Sequence, residues 1–365
     1  MEATQSMRSP DLQQLGLFSY VSVEDRVPSD HPVRKLRVLV DTILQELDGE
    51  LEKRYASLGR PSIAPERLLR ASLLQVVYSV RSERLLMEQL DYNLLFRWFV
   101  GLNIDDAVWD HSTFSFNRDR LFDDAIAQHF FQHTVILAHV ADLASDEHFS
   151  VDGSLLEAWA SHKSFRPKDD EEGKGGDDFR GKTRSNVTHA STTDPDARLM
   201  RKGKGKEAKL SYLANTLMEN RNGLVVAVDV RHASGTGERD GALAMLDGLR
   251  PRPGATLGAD KGYDTQDFVA ALKARGIKAH IARNTSDGRR SNVDHRTARS
   301  KGYAMSQVVR KRIEQGFGWS KTIGGLRKLA LTRLPKVRAW VTWTFAAYNL
   351  IRIGGIGGWW NPSPT

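Results

Sequence analysis

Apolar residues recur at spacings of three and four between Pro32 and Val100: Val33, Leu36, Leu39, Val40 and Ile43 form one stripe, Leu68, Leu69, Leu73, Leu74 and Val77 another. That period gathers them on one helix face. Pro65 suits a first helical turn, and Asp110 to Ser112 predicts a cap for a helix through Phe122. Residues 1–145 are therefore expected to be an all-α domain. Near His148 the period becomes two, with Phe149, Val151, Gly153 and Leu155 alternating with Ser150, Asp152 and Ser154, as in a strand. Ser161 to Lys209 is poor in apolar residues and dense in glycine and charge, including the acidic run Asp169 to Glu172 and the basic run Arg201 to Lys206. It reads as a long, partly flexible insertion.

Order returns with two strands, Leu210 to Met218 and Gly223 to Val230, joined by a turn at Asn220 to Gly223. Then follow a helix at Asp240 to Leu249, a strand at Ala255 to Asp260, a helix at Gln266 to Ala274, a strand at Ile277 to Ile281 and a helix from about Ser306 to Phe317. Three strands, helix, strand, helix, strand, helix is the element order of a ribonuclease-H-like α/β domain, a mixed sheet flanked by helices. The expected organisation is a helical domain at 1–145, this α/β domain at 146–350 with an insertion at about 161–209, and a tail at 351–365.

Charge narrows the partners. Among 365 residues, 53 Lys and Arg outnumber 45 Asp and Glu, for a net charge of +8, which favours a polyanion through attraction to phosphates and counterion release. Arg67, Arg70, Arg81, Arg84, Arg97, Arg118 and Arg120 in the helical part could dock on DNA in the manner of a helix-turn-helix; solvated arginines on a helical bundle are an equal reading. With no cysteine, disulfides, thiolate zinc sites and cysteine nucleophiles are excluded, and a reducing interior fits. No secretory leader and no run of roughly 18–20 apolar residues is evident, so a cytoplasmic, non-membrane protein is expected.

Three acids stand out. Asp152 lies inside an apolar strand, where a carboxylate must be paired, hydrogen-bonded or metal-bound. Asp260 ends the fourth predicted strand, where α/β sheets present functional groups; it would lie beside Asp152 if the first and fourth strands are neighbours. Glu314 sits on the last helix, four residues from Arg310. Taken singly, the aspartates also suit solvated strand ends, and Glu314 a helix salt bridge to Arg310. From Arg289 to Arg338 basic residues are dense, with only Asp294 and Glu314 opposing them, a texture of phosphate contact. If the fold gathers the acids, their repulsion calls for hard cations, two Mg²⁺ or Mn²⁺ ions, and the two-metal chemistry of phosphoryl transfer. Trp159 and Trp319 could stack on a flipped base, though packing is the simpler reading. Five histidines, His162, His189, His232, His280 and His295, show no metal-ligand spacing.

These segments resemble the DDE transposases of bacterial insertion sequences, particularly the insertion-sequence-five group. Val151-Asp152-Gly153-Ser154-Leu155-Leu156-Glu157-Ala158-Trp159 is similar to the region of that family's first catalytic aspartate, and Gly258-Ala259-Asp260-Lys261-Gly262-Tyr263 to that of its second. Arg310, Glu314 and Lys321 occupy the family's signature of Arg, three residues, Glu, six residues, Lys. The tyrosine that often opens that signature is Gln307 here, and Gly316 and Gly318 put helix continuity to Lys321 in question. The resemblance implies that Asp152, Asp260 and Glu314 are catalytic metal ligands, that Arg310, Lys321, Arg312 and Lys261 contact DNA, and that the helical domain reads terminal inverted repeats. It implies cleavage at transposon ends, transfer of the freed 3′-hydroxyl into target DNA, and a homodimer or larger assembly on DNA. A stand-alone metal-dependent nuclease and a non-catalytic DNA-binding repressor are the alternatives.

Overall fold

The computed structural model describes residues 21–54, 62–168, 184–203 and 205–360. The acidic run Asp169 to Glu172 lies outside them. The chain opens with helices α1 (Val23–Arg26), α2 (Pro32–Glu52), α3 (Pro65–Val77), α4 (Glu83–Tyr92), α5 (Leu94–Val100), α6 (His111–Leu121) and α7 (Asp124–Val140). Their starts follow local chemistry: Asp110 accepts the Ser112 N–H to cap α6, and Pro65 occupies the first turn of α3. The two apolar stripes are buried, Val33, Leu36, Val40 and Ile43 on α2 and Leu68, Leu69, Leu73 and Leu74 on α3.

Next come β1 (His148–Glu157), β2 (Phe165–Pro167), β3 (His189–Ser191), β4 (Arg198–Arg201), β5 (Ala208–Glu219), β6 (Val225–His232), α8 (Gly237–Leu249), β7 (Thr256–Ala259), α9 (Gln266–Ala274) and β8 (Lys278–Ile281). The chain then forms α10 (His295–Ala298), α11 (Lys301–Val309), α12 (Ile313–Thr322) and α13 (Leu334–Ile356). Strands β6, β5, β1, β7 and β8 lie side by side in that order. β5 runs antiparallel to both β6 and β1, while β7 is parallel to β1 and β8 to β7. This mixed sheet flanked by helices is the ribonuclease-H-like arrangement expected from the element order.

The described residues of the insertion include three short strands. β2 and β3 form a small antiparallel pair, and β4 joins the main sheet along the first residues of β5. The helix expected from Ser306 to Phe317 is broken by a 3-10 turn at Arg310–Arg312, and α12 then continues past Gly316 and Gly318 to Thr322. The last helix, α13, reaches Ile356, beyond the expected end of the α/β part at residue 350.

Each face of the sheet has its own core. Phe149, Val151, Leu217 and Leu257 pack toward α8 and α9 with Ala242, Leu246, Phe268 and Leu272. The opposite face is covered by α13, α12 and the N-terminal helices, so Leu156, Tyr212 and Val230 share one core with Trp343, Phe345, Phe317, Phe130 and Leu73. Asn349 on α13 exchanges two hydrogen bonds with the backbone of Val225, at 2.9 and 2.7 Å, in place of a strand neighbour. No helix among the described residues is long and apolar enough to cross a membrane.

Candidate active site

The register of two parallel strands sets the first pair of acids. Ser150 on β1 stands opposite Gly258 on β7, so Asp152 and Asp260, each two residues further on, are level with one another. Neighbouring strands lie about 4.8 Å apart, and at roughly 5 Å two carboxylates repel by about 3 kcal/mol at an effective dielectric of 20. β7 ends at Ala259, which frees the edge of β1 just where Asp152 sits. Asp260 caps the 3-10 turn that follows, its Oδ1 accepting the Gly262 N–H at 2.7 Å. Asp152 Oδ1 accepts the N–H of Gly153 at 2.9 Å.

Glu314 arrives from the opposite side. Ile313 and Phe317 are buried and pin α12 into the core, leaving Glu314 exposed in the first turn. One cleft of about 480 Å³ is lined by Asp152, Asp260 and Glu314 together with Ser154, Lys202, Glu238 and Lys321. The fold thus brings the three sequence-identified acids to one place. Burial pushes the Asp152 carboxyl up to about 6, and the charges of Asp260 and Glu314 add to this while Gly153 and Arg310 oppose it.

Of the basic residues singled out in the sequence, Lys321 enters the cleft, with Lys202 also lining it. Lys321 Nζ donates to Ser154 Oγ at 2.6 Å and to the Leu155 carbonyl at 3.1 Å, and burial, with Lys202 nearby, lowers its pKa. Arg310 lies close enough for its charge to act on Asp152. Its Nε donates to Gln307 Oε1 at 3.1 Å, and Gln307 in turn donates to the His280 carbonyl at 2.5 Å. The residue standing in the tyrosine position therefore ties Arg310 to β8 and draws it from a helix pair with Glu314. Arg312 is turned away from the cleft and donates to the carbonyls of Asn220 and Arg221 at the β5–β6 turn, each at 3.2 Å. Lys261 is exposed directly after Asp260 and does not line the cleft.

Sequence reasoning passed over Glu238. It stands in the first turn of α8, and burial together with the charges of Asp152 and Asp260 pushes its carboxyl up to about 7. Its segment, Gly237-Glu238-Arg239-Asp240-Gly241, has no alternation or motif that marks it; only the fold carries it to the cleft. The tryptophans divide. Trp319 packs edge-on against Tyr348 with ring centroids 5.7 Å apart, whereas Trp159 is 55% exposed, with Lys328 Nζ 5.9 Å from its ring centre. His280 is buried against Ser306 Oγ at 2.7 Å, and burial lowers its pKa to about 4, so it serves packing as a neutral ring.

The donor set fits hard divalent cations. Carboxylate oxygens are their preferred ligands, and a positive ion would offset the burial and the repulsion that raise Asp152. Among the described residues, no group of three or more acids or histidines is gathered closely enough to hold one ion as placed. Holding one there would require the side chains to draw inward, and Glu314 is exposed.

Comparison with known proteins gives the family. Residues 147–350, more than half of the chain, match the family described as Transposase DDE domain, and residues 21–120 match Transposase domain (DUF772). No curated protein matches the chain. Among solved structures, a piggyBac transposase synaptic complex with hairpin DNA shares 10% identity and a TM-score of 0.41 over 89% of this chain and 75% of that one. A pre-cleavage Mos1 transpososome shares 8% identity and a TM-score of 0.20 over 85% and 83% of the respective chains. Scores of this size mark likenesses too slight to support a functional argument.

Proposed function

The chain belongs to the transposase DDE-domain family, a DDE-type DNA transposase, and from that premise we propose that Asp152, Asp260 and Glu314 are its catalytic acids and metal ligands. We place it in the insertion-sequence-five group on the strength of its Arg310, Glu314 and Lys321 spacing. The observation that carries the reading is the shared cleft: acids 108 and 54 residues apart in sequence line one hollow beside a basic residue of the same signature.

In this reading the cleft binds the phosphodiester at a transposon end. Two Mg²⁺ or Mn²⁺ ions, when bound, neutralise the acids, lower the pKa of the attacking hydroxyl and stabilise the leaving oxygen. Asp152, Asp260 and Glu314 would hold them. Lys321, already held at the rim of β1 by Ser154 and Leu155, offers its remaining proton to a phosphate oxygen. Arg310, steadied by Gln307, presents a second positive charge beside Asp152. Water opens the phosphodiester and leaves a 3′-hydroxyl; that hydroxyl then attacks a target phosphodiester, forming one P–O bond as another breaks. The helical part at 1–145 reads the terminal repeats, and two ends are paired by a homodimer or larger assembly in the cytoplasm. Arg312 and Lys261 contact DNA outside the cleft.

The test is a cleavage and joining assay on labelled end DNA in Mg²⁺. Asp152→Asn is expected to lower both steps by about a thousandfold or more, the scale of losing metal-borne charge stabilisation, while DNA binding persists. A pre-cut 3′-hydroxyl end should join to target with the native chain. Cleavage without joining would favour the stand-alone nuclease, and native-level cleavage by Asp152→Asn would overturn the assignment.

A further inference from the structure

We propose that Glu238 is a fourth carboxylate ligand of the catalytic cleft, reaching it from the side of β1 away from Glu314 to hold a cation with Asp152 and Asp260. The proposal rests on the reading of those acids as metal ligands. Its first support is where Glu238 comes from. Odd-numbered residues of β1, Phe149 and Val151, face α8, whereas α12 and Glu314 pack on the other face. Glu238 therefore reaches the cleft from behind β1, and it crosses at Gly153. A Cβ on Gly153 would lie 2.5 Å from Glu238 Cγ and 2.7 Å from Asn215 Oδ1. Real Cβ atoms do not approach so closely, so only glycine leaves the passage open. Gly153 thus acts as a notch through which a second glutamate joins the aspartates.

The second support is two buried polar atoms beside that passage with no partner. Tyr263 is fully buried, and its Oη makes no hydrogen bond. The charges of Glu238, Asp152 and Asp260 all act on it, so it lies among the carboxylates without touching one. Asn215 is equally buried. Its Nδ2 donates to Asp229 Oδ2 at 3.0 Å and to the Gly237 carbonyl at 3.2 Å, which fixes the start of α8, yet its Oδ1 is unsatisfied. A buried donor or acceptor left unmade costs about 1–3 kcal/mol. One orphan donor and one orphan acceptor flanking Glu238 suit a hydrated cation: the phenol would donate to a carboxylate drawn inward, and a metal-bound water would donate to Asn215. Each cation then has a glutamate of its own, Glu314 on one face of β1 and Glu238 on the other, with Asp152 and Asp260 between.

Counting bound Mn²⁺ by electron paramagnetic resonance on the full chain tests this without reference to activity. The native protein is expected to bind two ions. Glu238→Gln should weaken one of them by about tenfold or more, the loss that follows removal of a metal-site partner, and leave the other in place. Glu238→Asp, which keeps the charge, should recover part of the affinity, and Tyr263→Phe should weaken the same ion to a smaller extent. Removing a carboxylate from beside two others relieves repulsion, so the metal-free melting temperature of Glu238→Gln should hold or rise. Two ions bound to Glu238→Gln with native affinity would overturn the proposal, as would a lowered metal-free melting temperature with unchanged Mn²⁺ binding, the signature of a purely structural residue. Asp152→Asn separates the two readings: if it too binds both ions normally, the cleft itself is not the metal site.

Discussion

In the metal-free protein Asp152 titrates near 6 and Glu238 near 7, against ordinary values of 3.8 and 4.5. Although His280, lowered by burial to about 4, works the other way, at Asp152 and Glu238 the folded chain holds more protons than the unfolded chain between about pH 4 and pH 7. Their contribution to stability is complete below pH 4 and is lost as pH rises through 6 and then 7. Asp260 and Glu314 sharpen this trend, while Arg310 acting on Asp152 and Arg239 acting on Glu238 soften it. Calorimetry in chelator is expected to show the melting temperature of the native chain falling from pH 5 to 8 relative to that of the double variant Asp152→Asn, Glu238→Gln; equal slopes in the two proteins would contradict it. Lys321 makes the complementary case. Lys321→Ala should weaken end-DNA cleavage by about tenfold, the scale of one charge-assisted hydrogen bond, with Mn²⁺ binding unchanged; a matching loss of Mn²⁺ binding would contradict a phosphate-holding role. Asp152 and Asp260 could be found in sequence because each sits at a recognisable place on a strand. Glu238 could not, because its approach depends on an absent side chain at residue 153, eighty-five positions earlier in the chain.

An element with a wet face announces itself. The stripe of α2 reads directly as a helix because Lys35, Thr42, Gln45, Glu46 and Asp48 on its other side meet solvent, while β1, covered on both faces, alternates because Ser150, Asp152 and Ser154 are polar. α13 is buried from Val337 to Gly354 on nearly all sides, so its apolar residues show no period that reveals a helix. Its tryptophan is central: Trp343 is fully buried, with Phe130 at 4.3 Å and Phe122 at 5.0 Å between ring centroids. Trp343→Ala is expected to cost about 3–5 kcal/mol, measurable by urea unfolding, and a cost under 1 kcal/mol would contradict the central place given to α13. β2, β3 and β4 were equally hidden for the opposite reason. They are three or four residues long and set among charged residues, and they owe their order to pairing with each other or with β5.

Across the molecule, the N-terminal helices and the sheet share a hydrophobic core through α13. The arginines of those helices are not a uniform DNA surface. Arg97 is buried and donates to the carbonyls of Leu90 and Asp106, at 2.9 and 2.6 Å; Arg70 pairs with Asp41, and Arg118 with Glu83 and Asp119. Charge counted along a sequence cannot separate such internal ties from a phosphate-facing surface. The excess that remains is still +8, and six to ten phosphate contacts would weaken end-DNA binding by roughly 10³–10⁵ between about 50 and 200 mM salt; a salt-independent affinity would contradict an electrostatic interface. The central claim concerns where cations sit, and it can be read from the chain directly. Fe²⁺ substituted for Mg²⁺ and treated with ascorbate and peroxide cleaves backbone beside its own binding site. The account predicts cuts clustered at Asp152, Asp260 and Glu314 that vanish in excess Mg²⁺, whereas cuts elsewhere, unchanged in Asp152→Asn, would contradict it.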